Sequence, residues 1–253
     1  MKLILILSVF ALLFDFLFII VSKFFIKTDK HIRILFLVLP IVTIFCQYSL
    51  FLSSLFIGTT GAYIEKNPNM VMPIFPCNVV MWCMLVIGIC WNKKESRFIQ
   101  ILIDFCFYFG FFSTLVGMFA NADLFNEPTL KNYDGVKSLI SHGALFLNAL
   151  CLGCYKIVKV DLLPNYIHLV IAVVAVGLIG VCNNLLAYAI GGYDFAYEIN
   201  SMYLIRPSYE GIWWLKYQYI VPVALVLYFG LFNLLDLIFY KKGNRWTKRG
   251  FHW

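Results

Sequence analysis

Lysine and arginine residues lie mostly in every second gap between seven long apolar segments, and this pattern constrains the fold more than any other feature. Of the 20 basic residues, 14 fall in four stretches, at 23–33, 93–97, 156–159 and 241–249. Most acidic residues of the loops lie in the alternate gaps. Because short loops rich in lysine and arginine stay in the cytoplasm, the pattern predicts seven membrane helices, with the N-terminus outside and the C-terminus cytoplasmic.

The composition agrees with an all-α integral membrane protein. Hydrophobic residues make up 62% of the 253-residue chain and charged residues only 13%, which is far from the usual soluble mixture. A span needs about 20 residues, so seven spans leave room only for short loops and predict a single transmembrane domain, 1–253. The predicted spans are 3–22, 34–57, 73–91, 98–120, 138–155, 165–190 and 217–240, of which the fifth is the shortest and allows an earlier start.

The charge and cysteine patterns exclude several classes of function. The net charge of +7 is explained by basic residues next to the spans, where they face anionic lipid headgroups, so no nucleic-acid partner is expected. All eight cysteines lie within apolar segments, which argues against a secreted disulfide framework. Cys151-x-x-Cys154 has no second pair and no histidine at ligand spacing, so no metal site is predicted, and no cofactor is expected. The expected location is the plasma membrane, as a multi-pass protein.

Polar residues inside the spans are costly and need a partner or a function. The predicted topology puts Cys77 and Asn78 in the first turns of the third span and His142 about one turn into the fifth, all in the outer leaflet. A thiol at a helix N-terminus is stabilised as thiolate, and a nearby imidazole can accept its proton. The alternative is structural, because cysteine is a common small apolar residue and histidine often bonds across helices.

Other polar residues extend this outer group or lie deeper. Asn183 and Asn184 point about 100° apart on the sixth span, so one is expected to bond a neighbouring helix and the other to line a cavity. Asp15, Asp104 and Asp236 lie toward the middle and inner half, where either proton coupling or pairing with basic residues at the boundary explains them. Two longer outer loops are predicted, a polar loop at 121–137 and an aromatic-rich loop at 191–216, the latter as a lid or as an interfacial segment.

Three stretches, taken in order, resemble a known family. They are Met72-Pro73-Ile74-Phe75-Pro76-Cys77-Asn78, then Tyr108-Phe109-Gly110 followed by Ser141-His142-Gly143, and finally Asn183 followed by Asn200-Ser201-Met202-Tyr203-Leu204 ahead of Pro207. Their order and spacing resemble the YwaF-like bacterial integral membrane proteins, which are related to the animal transmembrane protein 164 group. Phe75 stands where many relatives carry a histidine.

The resemblance implies a seven-helix protein whose animal relatives transfer acyl groups on phospholipids through a cysteine. Cys77 would then be the acyl-accepting thiol and His142 its base, with membrane phospholipids as partners. Asn78 or Asn183 is a candidate oxyanion donor, and Arg206 is a candidate phosphate ligand. The full candidate substrate-binding set is Asn78, Asn183, Asn184, Tyr203 and Arg206.

Two other functions remain open from the residues. A small-molecule or proton-coupled transporter would use Asp104 and Asp15 to sense protons, and its activity would ignore the loss of Cys77. A non-enzymatic receptor or scaffold would have seven spans and no chemistry, although span number alone is only a fold-level analogy. The sequence predicts no oligomeric state.

Overall fold

A computed structural model describes residues 2–61, 64, 74–119, 129–131, 133–159, 161–207 and 212–239. All regular secondary structure within these ranges is helical, as predicted. The chain divides into two compact units, Met1–Val158 and Lys159–Trp253. The predicted basic stretch 241–249, most of the loop 121–137 and the side chain of Asp236 lie outside the described residues.

The first unit contains seven α-helices along its described ranges. They are α1 (Lys2–Phe25), α2 (Asp29–Gln47), α3 (Ser49–Phe56), α4 (Pro76–Ile89), α5 (Arg97–Asp104), α6 (Gly110–Phe119) and α7 (Tyr133–Cys154). The fifth predicted span therefore does begin earlier than 138. The second unit contains α8 (Leu162–Ile199) and α9 (Tyr217–Phe239), and the latter closely matches the predicted last span.

Five helical segments of the described chain are long and apolar enough to cross a membrane, and counting one bent pair as a span gives six. The five are Leu3–Phe25, Arg97–Phe119, Tyr133–Cys154, Leu162–Ile199 and Tyr217–Leu234, and the bent pair is α2 with α3. The helix of the third predicted span, α4, has 14 residues, short of the about 20 that a full crossing needs. Several long apolar helices thus indicate a membrane-embedded protein.

One face of α1 carries all its buried polar side chains. Ser8, Asp15 and Ser22 are seven residues apart and buried, because a seven-residue step nearly completes two helical turns. Ile4 and Ile19 lie on the same face, while large apolar residues around the rest of the helix are exposed. This division is typical of a helix that packs along one stripe and faces lipid elsewhere.

The helices of the first unit alternate in direction. α1 and α7 run the same way, because Ile4 and Leu139 pack together near their starts, whereas Ser22 and Tyr155 share a hydrogen bond of 2.6 Å at their ends. This parallel arrangement is expected for the first and fifth spans of a chain that crosses a membrane repeatedly.

The helices on the other side of α7 run against it. Near the start of α7 the Gln47 side chain accepts a hydrogen bond of 3.0 Å from Ser141, so the end of α2 meets the beginning of α7. Phe107 packs on Gly153 and Gly117 on His142, so the segment from α5 to α6 is also antiparallel to α7. Consecutive spans of a chain that crosses a membrane repeatedly run in opposite directions, so the second and fourth spans are expected to run against the fifth.

Two spans of this unit contain a break. α2 and α3 meet at Tyr48 with a bend of 64°, so the predicted span 34–57 is not one straight helix. The fourth predicted span changes from α-helix to a π-helical turn over Phe105–Phe109 and then back. π-helical turns are rare, and they often lie at functional sites.

The predicted loop 191–216 is wrong over its first part. Helical structure continues to Ile199, with a break at Gly192, whose φ of 76° and ψ of −168° suit a residue without a Cβ. The chain then forms a strap, defined here as residues 200–207, which contains the 3₁₀ turn Ser201–Tyr203. Asn200, Met202 and Tyr203 all have positive φ in this strap.

Candidate functional site

Cys77 lies in the first turn of α4 and is half-buried. Pro76 occupies the first helical position, and Phe75 precedes it without a side-chain cap. The Cys77 thiol donates to the Asn78 Oδ1 atom across 3.8 Å, and the Asn78 N–H donates to the Phe75 carbonyl oxygen at 3.0 Å. The positive end of the helix dipole favours negative charge on the Cys77 sulfur, whereas burial opposes it.

Tyr48 lies beside this cysteine turn, at the bend between α2 and α3. The side chains of Asn78 and Trp82 approach its hydroxyl group, and the Tyr48 and Trp82 ring centroids are 6.3 Å apart. Trp82 is the more exposed member of this pair. The bend in the second span therefore brings a phenol next to the thiol.

His142 is half-buried on α7, and one face of its ring covers Gly117 of α6. Its Nδ1 atom lies 2.7 Å from the Ser138 carbonyl oxygen. A carbonyl only accepts, so Nδ1 carries the proton and Nε2 is the basic nitrogen of the neutral ring. A Cβ atom on residue 117 would overlap the imidazole, so glycine is needed for this close contact.

Cys77 and His142 do not form a hydrogen-bonded pair. Among the described residues, the hydrogen bonds of Cys77 involve Asn78 and those of His142 involve Ser138. Ser141 donates to Gln47 on α2, and the next residue points about 100° away around the helix. His142 therefore faces α6 while its neighbour faces α2.

A buried lysine belongs to the same end of α7, and it was not predicted as a site residue. Lys137 is 3% exposed and pairs with Asp134 across 3.0 Å. The Cys46 thiol lies 4.0 Å from the Lys137 carbonyl oxygen. A signal was present in the sequence, because an acid three residues before a lysine shares its helix face, but residue 137 was assigned to the preceding loop.

Asn183 and Asn184 both bond the strap of the second unit. The Asn184 side chain donates to the Ser201 carbonyl at 3.1 Å and accepts from the Ser201 N–H at 2.8 Å. Asn183 donates to the Ser201 hydroxyl at 3.3 Å. The expectation that one asparagine lines a cavity is therefore wrong for this pair, because both amides hold the strap against α8.

Tyr203 and Arg206 belong to the strap itself. The Asn200 Oδ1 atom accepts from the backbone N–H groups of residues 205 and 206, at 3.1 and 3.0 Å. The guanidinium carbon of Arg206 lies 5.2 Å from the ring centre of Tyr197, a cation–π distance. Tyr203 is half-buried with φ of 54°.

The candidate residues thus occur in two groups. Cys77, Asn78 and His142 belong to the first unit, whereas Asn183, Asn184, Tyr203 and Arg206 belong to the second. The substrate-binding roles assigned from the sequence stay predictions for both groups.

Two of the three deeper carboxyl groups, those of Asp15 and Asp104, are buried. Asp15 is 3% exposed and Asp104 is 1% exposed. Asp104 directly precedes the π-helical turn of the fourth predicted span. Within the described ranges, no group of three histidine, cysteine, aspartate or glutamate side chains is arranged to hold a metal ion.

Comparison with protein-family models, with curated proteins and with solved structures finds no match.

Proposed function

We propose that this protein crosses the plasma membrane seven times, with its N-terminus outside, and transfers acyl groups between phospholipids through Cys77. Five or six described helical segments have the length and apolarity of spans, and the apolar helix α4 supports a seventh. The alternating directions within the first unit agree with repeated crossing. The resemblance to the YwaF-like proteins supports the choice of reaction.

The observation that carries the acyl-transfer proposal is the position of the Cys77 sulfur. It lies in the first turn of α4, directly after Pro76. A thiolate is the nucleophilic form of cysteine, and N-terminal helix positions favour it. Among the eight cysteines, Cys77 alone lies in the first turn of a described helix.

The proposed chemistry has two displacement steps. The Cys77 thiolate attacks the carbonyl carbon of a phospholipid ester, and the bond from this carbon to the glycerol oxygen breaks. The product is a thioester on Cys77, and the lysolipid leaves with a proton. A second lysolipid hydroxyl then attacks the thioester, which releases the thiol and forms a new ester. The Asn78 Oδ1 atom accepts from the Cys77 thiol, and the Asn78 Nδ2 group is the donor that we assign to the developing oxyanion.

The Nε2 atom of His142 is the proposed acceptor of the Cys77 thiol proton. The Ser138 carbonyl holds the proton on Nδ1 and leaves Nε2 basic. Because the two side chains are not hydrogen-bonded to each other, transfer requires a bridging water molecule or a turn of the ring away from Gly117.

The test is acyl exchange by the purified protein in mixed micelles that contain a phospholipid and a labelled lysophospholipid. Cys77→Ala is expected to abolish exchange, a loss on the order of 10⁴-fold. Intact-mass spectrometry of the native protein is expected to show one acyl adduct that hydroxylamine removes. His142→Gln is expected to lower the exchange rate while the adduct still forms slowly.

A matched control is available at the other end of the same helix. Cys90 is half-buried at the C-cap of α4, where the dipole disfavours thiolate. Cys90→Ala should leave exchange unchanged. Equal exchange by Cys77→Ala and native protein would remove the proposal.

Proton-coupled transport is a second candidate, favoured by the buried Asp104 and the π-helical turn that follows it. A buried protonatable side chain next to a π-helical turn is typical of a site that passes protons within a membrane. Proteoliposomes loaded with a pH-sensitive dye would report proton entry under an imposed gradient. Transport predicts a flux that Asp104→Asn abolishes and Cys77→Ala preserves. The absence of a protein-dependent flux would contradict this candidate.

A further inference from the structure

A buried acid of α1 faces two cysteines of α7 in the apolar part of the first unit. Asp15 is 3% exposed, and its Oδ2 atom makes no hydrogen bond within the described part of the chain. Its carboxyl group is within electrostatic range of the Cys151 thiol, which also interacts with Cys154. Two turns further along α1 and one turn beyond Cys151, Ser22 and Tyr155 share the hydrogen bond that fixes α1 beside α7.

The Cα spacing of the two cysteines fits a disulfide, and bond formation requires their Cβ atoms to approach from the about 5–6 Å of a regular helix to about 4 Å, a local change at the last turn of α7. Residues three apart on a helix have Cα atoms about 5 Å apart, inside the usual disulfide range. Gly153 lies between them, and Phe107 of the π-helical turn packs directly on it. Because any side chain at 153 would meet this ring, the cysteine turn is covered on one side by an aromatic group.

The two thiols differ in access. Cys151 is fully buried, whereas Cys154 is half-buried at the last residue of α7. The chain turns directly afterwards, at Tyr155 and at Lys156, which has φ of 55°. A reagent from the aqueous side therefore meets Cys154 first.

We infer that Cys151 and Cys154 form a reversible dithiol–disulfide couple that exchanges with small-molecule disulfides, and that Asp15 accepts the proton of Cys151 during ring closure. This site is separate from the acyl-transfer site proposed at Cys77 and does not depend on it. Its substrate class is a low-molecular-weight disulfide or, in reverse, the corresponding thiol.

The exchange balances in two steps. The Cys154 thiolate attacks one sulfur of a disulfide RSSR, the S–S bond breaks, and RS⁻ leaves and takes up the proton of Cys154. The Cys151 thiol then gives its proton to the Asp15 carboxylate and attacks the Cys154 sulfur. The second RS⁻ leaves and receives this proton from Asp15. The couple is thus oxidised by two electrons, and one RSSR is reduced to two RSH.

Because the Cys151 thiol is buried, its deprotonation needs a base close by, and the Asp15 carboxylate is the base that we assign. A thiolate fully surrounded by apolar groups is costly, so the second step is slow unless a nearby base takes the proton as the bond forms. The Oδ2 atom of Asp15 accepts no hydrogen bond from any described group, so it is available to accept the Cys151 proton.

The test uses the full-length protein in detergent micelles with graded ratios of bis(2-hydroxyethyl) disulfide to 2-mercaptoethanol. Samples are quenched in acid, alkylated and digested, and mass spectrometry then measures the fraction of the peptide that carries the 151–154 disulfide. We expect this disulfide to form with a single midpoint. Asp15→Asn should slow its formation by about 100-fold, the lower end of general-base effects, and Asp15→Glu should restore much of the rate.

Two controls separate this chemistry from a structural effect. Ser8→Ala removes a buried polar group from the same face of α1 and should leave the rate of disulfide formation unchanged. Cys154→Ala should abolish the mixed disulfide, whereas Cys151→Ala should trap it on Cys154. Absence of the 151–154 disulfide at every ratio, or equal rates for native protein and Asp15→Asn, would overturn the inference. Neither result affects acyl exchange through Cys77, which is measured separately.

Discussion

Buried polar side chains have different partners in the two units. In the first unit, some join separate segments, as Ser141 joins Gln47 and Ser22 joins Tyr155, and others, such as Thr114, bond the backbone of their own helix. In the second unit, Asn184 satisfies both backbone groups of Ser201, which lies in the irregular strap. The side-chain bonds between segments of the first unit determine which helices are neighbours. The Asn184 bonds instead satisfy backbone groups of a non-helical segment, which would otherwise be unpaired in apolar surroundings.

This difference has an energetic consequence. A side-chain hydrogen bond between membrane helices contributes about 0.6 kcal/mol on average, because its members find other partners when it is lost. Backbone N–H and C=O groups of a non-helical segment have few alternatives in apolar surroundings. Each buried group left unpaired costs about 1–3 kcal/mol. Single substitutions should therefore cost more in the strap contacts than in the interhelical ones.

The largest effect is expected from Asn184→Ala. This substitution leaves the Ser201 N–H without its partner and the Ser201 C=O with only the 3.3 Å bond from the Leu204 N–H, and the unfolding free energy should fall by about 2–3 kcal/mol. The measurement is unfolding by sodium dodecyl sulfate in mixed micelles, followed by circular dichroism.

The adjacent asparagine is a matched control for this prediction. Asn183 contacts only the Ser201 hydroxyl within the strap, so Asn183→Ala should cost less than about 1 kcal/mol. Equal losses for the two alanine variants would show that the strap backbone does not depend on Asn184, and the proposed difference between the units would not hold.

A medium effect is expected from Gly88→Ala, which tests the backbone packing of the first unit. A Cβ atom at residue 88 would overlap the backbone carbonyl of Phe36 on α2, which has no side-chain rotation with which to avoid it. Overpacking of this kind costs about 1–3 kcal/mol. The loss should appear in the same unfolding measurement.

Gly230 on α9 provides the opposite case. No atom lies within 4 Å of the position of its added Cβ, so Gly230→Ala should raise the unfolding free energy by up to about 1 kcal/mol through helix propensity.

A stabilising Gly88→Ala would mean that α2 and α4 separate easily, which contradicts close backbone packing.

The sequence predicted the helices well where hydropathy alone determines them. The last span agrees within one residue, because its apolar run has clear ends. The loop assigned from Gly191 was wrong, because two adjacent glycines are typical of a loop, yet only Gly192 takes a positive φ and the helix resumes after it. The bend at Tyr48 carries no glycine or proline at its centre, so composition gave no signal there.

The sequence predicts a depth for each candidate residue but not the direction of its side chain. Charge patterning assigns each residue an expected level within the membrane. It carries no information about rotation around a helix axis, and one residue changes the direction by about 100°. His142 consequently faces Gly117 rather than Cys77, and sequence spacing alone does not reveal this.

The smallest effect is expected from the interhelical hydrogen bond between Ser141 and Gln47, measured by a double-mutant cycle. Ser141→Ala removes the donor, and Gln47→Met removes the acceptor while keeping the volume. The coupling energy in mixed micelles should be about 0.6 kcal/mol, because Ser141 also donates to the Ser138 carbonyl and retains that bond. The Asn184 contacts would then exceed this bond several-fold. A coupling energy above about 2 kcal/mol would make the Ser141–Gln47 bond as strong as the Asn184–Ser201 contacts. The contact between α2 and α7 would then stabilise the protein as much as the contact between Asn184 and the strap, and the proposed difference between the units would not hold.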